Sequence, residues 1–339
     1  MAGPWPARQK LSQPDLYQWK AAMQKASVSQ EVKHQHLVSR GLLRFFNTPP
    51  GSNGKGIGTV NLKYLHYRPR VPKGCGAMEF WTTRFTKQAE DLWGRAESDI
   101  PATINAVARM DLFQNVTSVV TLKAIVALHH ARSYNTRRLS QQASDLAVQE
   151  GFDACIRDAA SRQSLWNYST GTLGVVQPTE DDLKAAFIDF AEKSGKYDPT
   201  FNFRKSAAEF FVELTEYLSR CQMEILVAPR GRSFVIGDTP VVAEGAPPVG
   251  TIRTHYVPPL QDSDIVHFPV HPRFCLRFPT ASSGYVDAGG RAVDRINERQ
   301  IERSYREVYF VSNPKTQRFV LERAKSWVAW PEIGDLVIR

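Results

Sequence analysis

His34 and His36 stand two apart in the stretch KHQHLVSRGLLRFF. On an extended segment both rings would face one side, a spacing suited to a pair of metal ligands or to a general base with its neighbour. A metal would need two further ligands from elsewhere, and a surface pair beside Lys33 satisfies the same spacing. Glu90, Trp93 and Glu97 sit at i, i+3 and i+7. On a helix that places both carboxylates on one face, about 10.5 Å apart at 1.5 Å per residue. Trp93 and Phe85 lie towards the same face, so desolvation would raise a carboxylate pKa to a value useful to a general acid or base. Pairing with Lys87 or Arg95 would instead make the two acids ordinary surface groups.

His129 and Arg132 continue the series Leu122, Ile125 at helical spacing and so point with a buried face. A buried guanidinium must find acids, carbonyls or a phosphate, and Arg132 also stands near a helix end, where carbonyls attract cations. Asp238 follows the apolar SFVIG directly and precedes Thr239 and Pro240. That is a strand end at which a fixed proline holds a carboxylate rigidly, or at which the aspartate caps its own turn. Asn297 shares a helix face with Ile301, Ser304 and Tyr305, so it reads as an inward polar group that must be paired.

The elements that would carry these residues follow from periodicity and punctuation. Thr48 to Gly58 (TPPGSNGKGIG) is a turn-rich loop, and its GKG lacks the following Ser or Thr of a phosphate loop. Thr59 to Tyr67 alternates apolar and polar residues, as a strand does. Phe85, Ala89, Leu92, Ala96, Ile100, Ile104 and Val107 mark an amphipathic helix, kinked or restarted at Pro101. Val116 to Arg132 reads as a helix buried on most sides. Further helices are predicted over Ser140 to Gln163, Thr179 to Lys193, with Thr179 and Asp182 as a capping box, and Lys205 to Cys221. Met223 to Ala228 and Ser233 to Gly237 around a PRGR turn predict a hairpin. His267 to Phe278 and Val308 to Ser312 predict strands, and Val293 to Glu307 a last helix. The fold class is therefore α+β: a helical middle packed with strands from both the N-terminal and C-terminal thirds, completing a common sheet. Residues 1–32 read as an extension and 33–339 as a single interleaved domain.

Bulk properties narrow the classes of function. Eighteen Phe, eleven Tyr and seven Trp supply a core, which excludes a disordered chain. No uninterrupted apolar stretch is long enough for a signal peptide or a membrane span; Val116 to Ala131 is broken by Thr117, Ser118, Thr121 and Lys123. Cys75, Cys155, Cys221 and Cys275 form no CxxC pair, so reduced thiols and a cytoplasmic location are expected. The balance of 43 Lys and Arg against 34 Asp and Glu leaves +9, which suits a polyanion partner such as RNA or DNA, or a solvated basic surface. Arg132, Arg137 and Arg138 form a local basic patch.

Taken in order, several segments resemble a bacterial family known as domain of unknown function 4238. The family opens with an element of the form HxVPxxYLxxF, to which His36-Leu-Val-Ser-Arg-Gly-Leu-Leu-Arg-Phe-Phe46 is similar. Ser39 stands where the family has proline, and Gln35 where a first histidine is common. Glu90 and Glu97 resemble its two helix glutamates, Arg132 in LHHARS its arginine closing an apolar helix, and Gly237-Asp238-Thr239-Pro240 its SDNP-like turn. Pro269-Val-His-Pro272 and Asn297 match a PLSP-like strand and an inward asparagine. The resemblance runs from about residue 33 to 312 and implies no reaction. What it implies is a set of catalytic candidates that folding would bring together: His36, Glu97, Arg132, Asp238 and Asn297.

Convergence of these types is what acid–base chemistry on a phosphate or ester requires. The expectation is a nucleic-acid-directed hydrolase, a nuclease-like effector of phage defence or a toxin module, with His36 as general base or acid, Glu97 or Asp238 as its partner or as a metal ligand, and Arg132 as phosphate clamp. A divalent metal is compatible with this set, and no cofactor fingerprint such as GxGxxG, HExxH or GxSxG is present. Two alternatives stay open: a non-catalytic protein that docks nucleic acid or an acidic protein partner, and an enzyme on a small anionic ligand contacted by Arg132 with Lys63 or Lys55.

Overall fold

The computed structural model describes residues 34–48, 56–79, 94, 96–194, 199–245 and 259–329. Strand β1 (His34–His36) and the single turn α1 (Arg40–Leu43) lead into β2 (Ile57–Asn61), β3 (His66–Arg70) and β4 (Ala77–Glu79). A helical block follows, with α2 (Ile100–Ala108), α3 (Val116–Ala131), α4 (Tyr134–Arg157), α5 (Ala159–Gly171), α6 (Glu180–Lys193) and α7 (Pro199–Arg220). Strands return as β5 (Glu224–Val227), β6 (Ile236–Gly237), β7 (Val242–Glu244), β8 (Ile265–His271), β9 (Phe274–Phe278) and β10 (Gly284–Asp287). Helix α8 (Gly290–Arg303), β11 (Glu307–Val311) and α9 (Pro314–Ala324) end the described chain.

The two ends of the chain do share a sheet. β11 lies between β2 and β6 in an antiparallel four-stranded sheet of order β3-β2-β11-β6, with Tyr309 opposite Thr59 on one side and Ile236 on the other. A five-stranded sheet of order β10-β5-β9-β8-β7 is antiparallel except for the β10–β5 pair, and β1 pairs antiparallel with β4 in a short ribbon. The mixed α and β architecture, with central helices and strands from both thirds, is as the sequence indicates.

The main core lies where α2, α3 and α7 cover the five-stranded sheet, with Leu122, Ile125, Leu214 and Leu218 against Ile225, Val266 and Leu276. Burial of each such side chain contributes about 1.5–3 kcal/mol. A second core joins β2 and β11 to α9 through Val60, Val308, Phe310 and Val320. α8 packs Val293 and Ile296 on Leu226, Phe234 and Cys275. Helices α4, α5 and α6 gather round Phe152, Leu165, Leu183 and Ala186.

Helix starts follow their caps. Asn115, Ser133 and Asp158 each accept a first-turn N–H, and Thr179 and Asp182 form the full capping box at α6. Asp158 corrects one expectation: the helix placed over Ser140 to Gln163 is two, because the aspartate side chain takes the Ser161 N–H and starts α5. Thr59 to Tyr67 is likewise two strands joined by a turn in which Leu65 has φ +50°. The Met223 to Gly237 hairpin does not form; β5 and β6 lie in different sheets, and the PRGR turn carries the chain between them. Gly237 is required there, since a Cβ would stand 2.0 Å from the Ser304 hydroxyl at the end of α8. Of the predicted helix running through Phe85 to Val107, the part carrying Phe85, Glu90 and Trp93 lies outside the described residues.

Candidate functional site

Three of the five candidates meet beside the C-terminal end of α3. Arg132, the residue that closes that helix, pairs with Glu97 in the helical turn before α2, Nη2 to Oε1 at 2.5 Å. Ser39, just before α1, completes a triangle: its hydroxyl donates to Glu97 Oε1 at 2.7 Å and accepts from Arg132 Nη2 at 2.6 Å. The Ser39 backbone N–H donates to His129 Nε2 at 3.1 Å, and the other nitrogen of that ring, Nδ1–H, donates to the Ile125 carbonyl at 2.7 Å. His129 is therefore neutral, and burial with the nearby Arg132 charge pushes its pKa down to about 3.

His36, at the end of β1, lies close enough to Arg132 and Glu97 for their charges to act on its ring. Its Nδ1–H donates to the Cys75 carbonyl at 3.2 Å, since a carbonyl can only accept; that fixes the tautomer, and among the described residues Nε2 has no hydrogen-bond partner. Partial burial lowers its pKa below the usual imidazole value, and the charges of Arg132 and Arg40 lower it further against the pull of Glu97. At neutral pH the ring is an uncharged acceptor. Glu97 departs from the expectation of a raised carboxylate. Burial does push it up, but Arg132 and the Ser39 hydroxyl outweigh burial and hold it below the usual range, so it is ionised. Its side chain remains 36% exposed, which opens the triangle to solvent.

Asp238 and Asn297 are employed elsewhere. The Asp238 carboxylate accepts three backbone N–H groups, from Tyr305 and Arg306 at 2.7 Å and Glu307 at 3.0 Å, and its own N–H donates to the Glu307 carbonyl. It caps the entry to β11 and not its own turn. Burial raises this carboxyl to about 7 against the opposing pull of the three donors. Asn297 accepts the Val235 N–H and donates to the Ser233 carbonyl, both at 2.9 Å, and Gln300 one turn on does the same with Gly237 N–H and the Pro240 carbonyl. These side chains substitute for a missing strand along the backbone of residues 233–240. Tyr309 stands between the two regions: its hydroxyl accepts from Gly76 N–H at 2.8 Å and donates to Glu307 Oε2 at 2.9 Å.

Residues 34–314 match the model of the family described as protein of unknown function, DUF4238. The chain belongs to that family. Comparison with curated proteins and with solved structures returned no match. In this DUF4238 protein Glu97 and Arg132 form one cluster with His36 near it, while Asp238 and Asn297 hold backbone. Ser39 and His129 join the cluster although neither was singled out as catalytic; Ser39 gave no signal beyond standing where the family has proline.

Among the described residues, no group of three or more His, Cys, Asp or Glu is placed to hold a metal ion. Lys63 lies exposed on the β2–β3 turn, and Lys55 is outside the described residues. No helix of the described residues is long and apolar enough to cross a membrane.

Proposed function

We propose that this DUF4238 protein is a hydrolase of phosphodiesters in RNA or DNA, with His36 as general base. The observation that supports this most is the Nε2 of His36, which no described residue engages, oriented by the Cys75 carbonyl and lying within reach of the charges of Arg132 and Arg40. His36 Nε2 would take a proton from the attacking water, whose oxygen bonds to phosphorus as the ester oxygen leaves and is protonated by solvent. The positive charge of Arg132, braced by Glu97 and Ser39, would stabilise the negative charge that grows on the phosphoryl oxygens. Exposed Arg40, whose charge acts on His36, would meet a neighbouring phosphate. Such an activity suits a cytoplasmic effector of phage defence or a toxin module.

A second reading rests on one observation: Ser39 is saturated by protein partners, its hydroxyl on Glu97 and Arg132 and its N–H on His129. In that reading the triangle only ties three segments together, and the protein binds nucleic acid or an acidic partner without cleaving it. Incubation of pure protein with RNA and DNA, with and without divalent ions, separates the two when run beside His36→Ala and Arg132→Gln. Cleavage by wild type that is lost in His36→Ala at unchanged melting temperature supports the hydrolase. Equal cleavage by all three proteins, or none by any, retires it.

A further inference from the structure

His36 carries its proton on Nδ1 because of one peptide group, that between Cys75 and Gly76, whose carbonyl accepts it at 3.2 Å. The N–H of the same peptide donates to the Tyr309 hydroxyl at 2.8 Å. One planar group thus has His36 at its carbonyl end and Tyr309 at its amide end, and a hydrogen bond at the N–H polarises the carbonyl into a better acceptor. The Tyr309 hydroxyl is itself oriented. It is buried, burial and the Glu307 charge hold it protonated, and its own proton goes to Glu307 Oε2 at 2.9 Å. Glu307 is anchored in turn by Arg70 at 2.8 Å.

Backbone contacts do not choose the orientation of this peptide. The groups on either side are tied to backbone, the Cys75 N–H to the Pro72 carbonyl at 3.3 Å and the Gly76 carbonyl to the Leu37 N–H at 2.7 Å, whereas the peptide between them bonds two side chains. Gly76 has φ +65°, and glycine takes positive and negative φ about equally well, so the plane can turn over at little conformational cost. Turned over, it would present its N–H to His36 Nδ1. The ring would then accept there and carry its proton on Nε2, the wrong tautomer for a base acting through Nε2.

We propose that Tyr309 is a positioning residue for His36, fixing through the Cys75–Gly76 peptide the tautomer that leaves Nε2 unprotonated. The assignment rests on the reading of His36 as general base, but the ring tautomer is measurable whether or not nucleic acid is cleaved, so the two fail separately. NMR of ¹⁵N-labelled histidine in the full chain at neutral pH, with His36→Ala to assign the ring, compares wild type with Tyr309→Phe. Wild type should show His36 as the Nδ1–H form. In Tyr309→Phe the ratio of Nδ1–H to Nε2–H should fall about fivefold or more, the scale of one net hydrogen bond, while the His129 signals stay in place. An unmoved His36 ratio overturns the assignment, as does a wild-type His36 already protonated on Nε2. A change shared equally by His129 would mark general loosening and overturns it too. If Tyr309→Phe does not fold, Glu307→Met removes the acceptor that orients the Tyr309 hydroxyl, and an unmoved His36 ratio in that variant overturns the assignment instead.

Discussion

At Arg132 the partner carboxylate is about one-third exposed, and the nearby neutral imidazole of His36 has one nitrogen that no described residue engages. At Asp238 the carboxylate is sealed, and the groups it accepts are backbone N–H groups of residues 305–307. Both regions join distant parts of the chain through acids, amides and cations, so residue type alone does not tell a reactive cluster from a structural clamp. Access and unused hydrogen-bonding capacity do. The comparison breaks if clamp residues prove to govern activity, or if His36 and Arg132 prove to govern folding.

The largest expected effect is on chemistry at His36. His36→Ala should lower nucleic-acid cleavage by about 10²–10⁴-fold, the usual contribution of a positioned general base, and leave the melting temperature within a degree or two. Because burial and Arg132 lower the His36 pKa, the acid limb of the rate profile should fall below the unperturbed pKa of 6.5. A limb above that value would show that another group sets the rate.

Clamp variants should move stability instead. Asp238→Ala strands one buried and two half-buried backbone N–H groups at once and should cost about 3–5 kcal/mol in denaturant unfolding, as loss of one partner of a buried charged cluster does. A cost under about 1 kcal/mol would mean that water replaces the carboxylate. Arg132→Gln leaves Glu97 a route to solvent, so its cost should be smaller, about 1–2 kcal/mol. Cleavage should still collapse in this variant, and a protein with intact cleavage and a lowered melt would favour the binding reading.

The sequence foretold what local pattern controls. The α6 capping box, the apolar α3 with Arg132 at its end, and the shared use of both chain ends are all legible in spacing and residue type. What failed depends on partners far along the chain. Two apolar stretches flanking a turn read as a hairpin, yet β5 pairs with β9 and β10 while β6 pairs with β11. Asp158 could sit inside a helix or cap one, and only the Ser161 N–H decides. Asp238 was expected at a rigid strand end, where it is, but the donors it serves lie 67 to 69 residues away, and no spacing encodes them.

The smallest effect sharpens the contrast through pH. His129, His130 and His271 sit at about 3, 4 and 4 in the folded protein, against 6.5 for a free imidazole. Between roughly pH 4 and 6.5 the unfolded chain therefore binds protons that the folded chain refuses, and stability falls as pH drops, by about 1.4 kcal/mol per pH unit for each ring. Asp238 acts in the opposite sense. Its folded value of about 7 exceeds the unfolded 3.8, so the folded state holds a proton there and its contribution is lost as pH rises. Asp238→Asn removes that opposing proton and should steepen the rise of stability with pH by about 1.4 kcal/mol per unit over the same window. Unfolding free energies at pH 5 and 6.5 measure the slope. An unchanged slope would mean that the three N–H donors, and not burial, govern the carboxyl, keeping it ionised throughout and making the clamp a stronger charge site than its enclosure suggests.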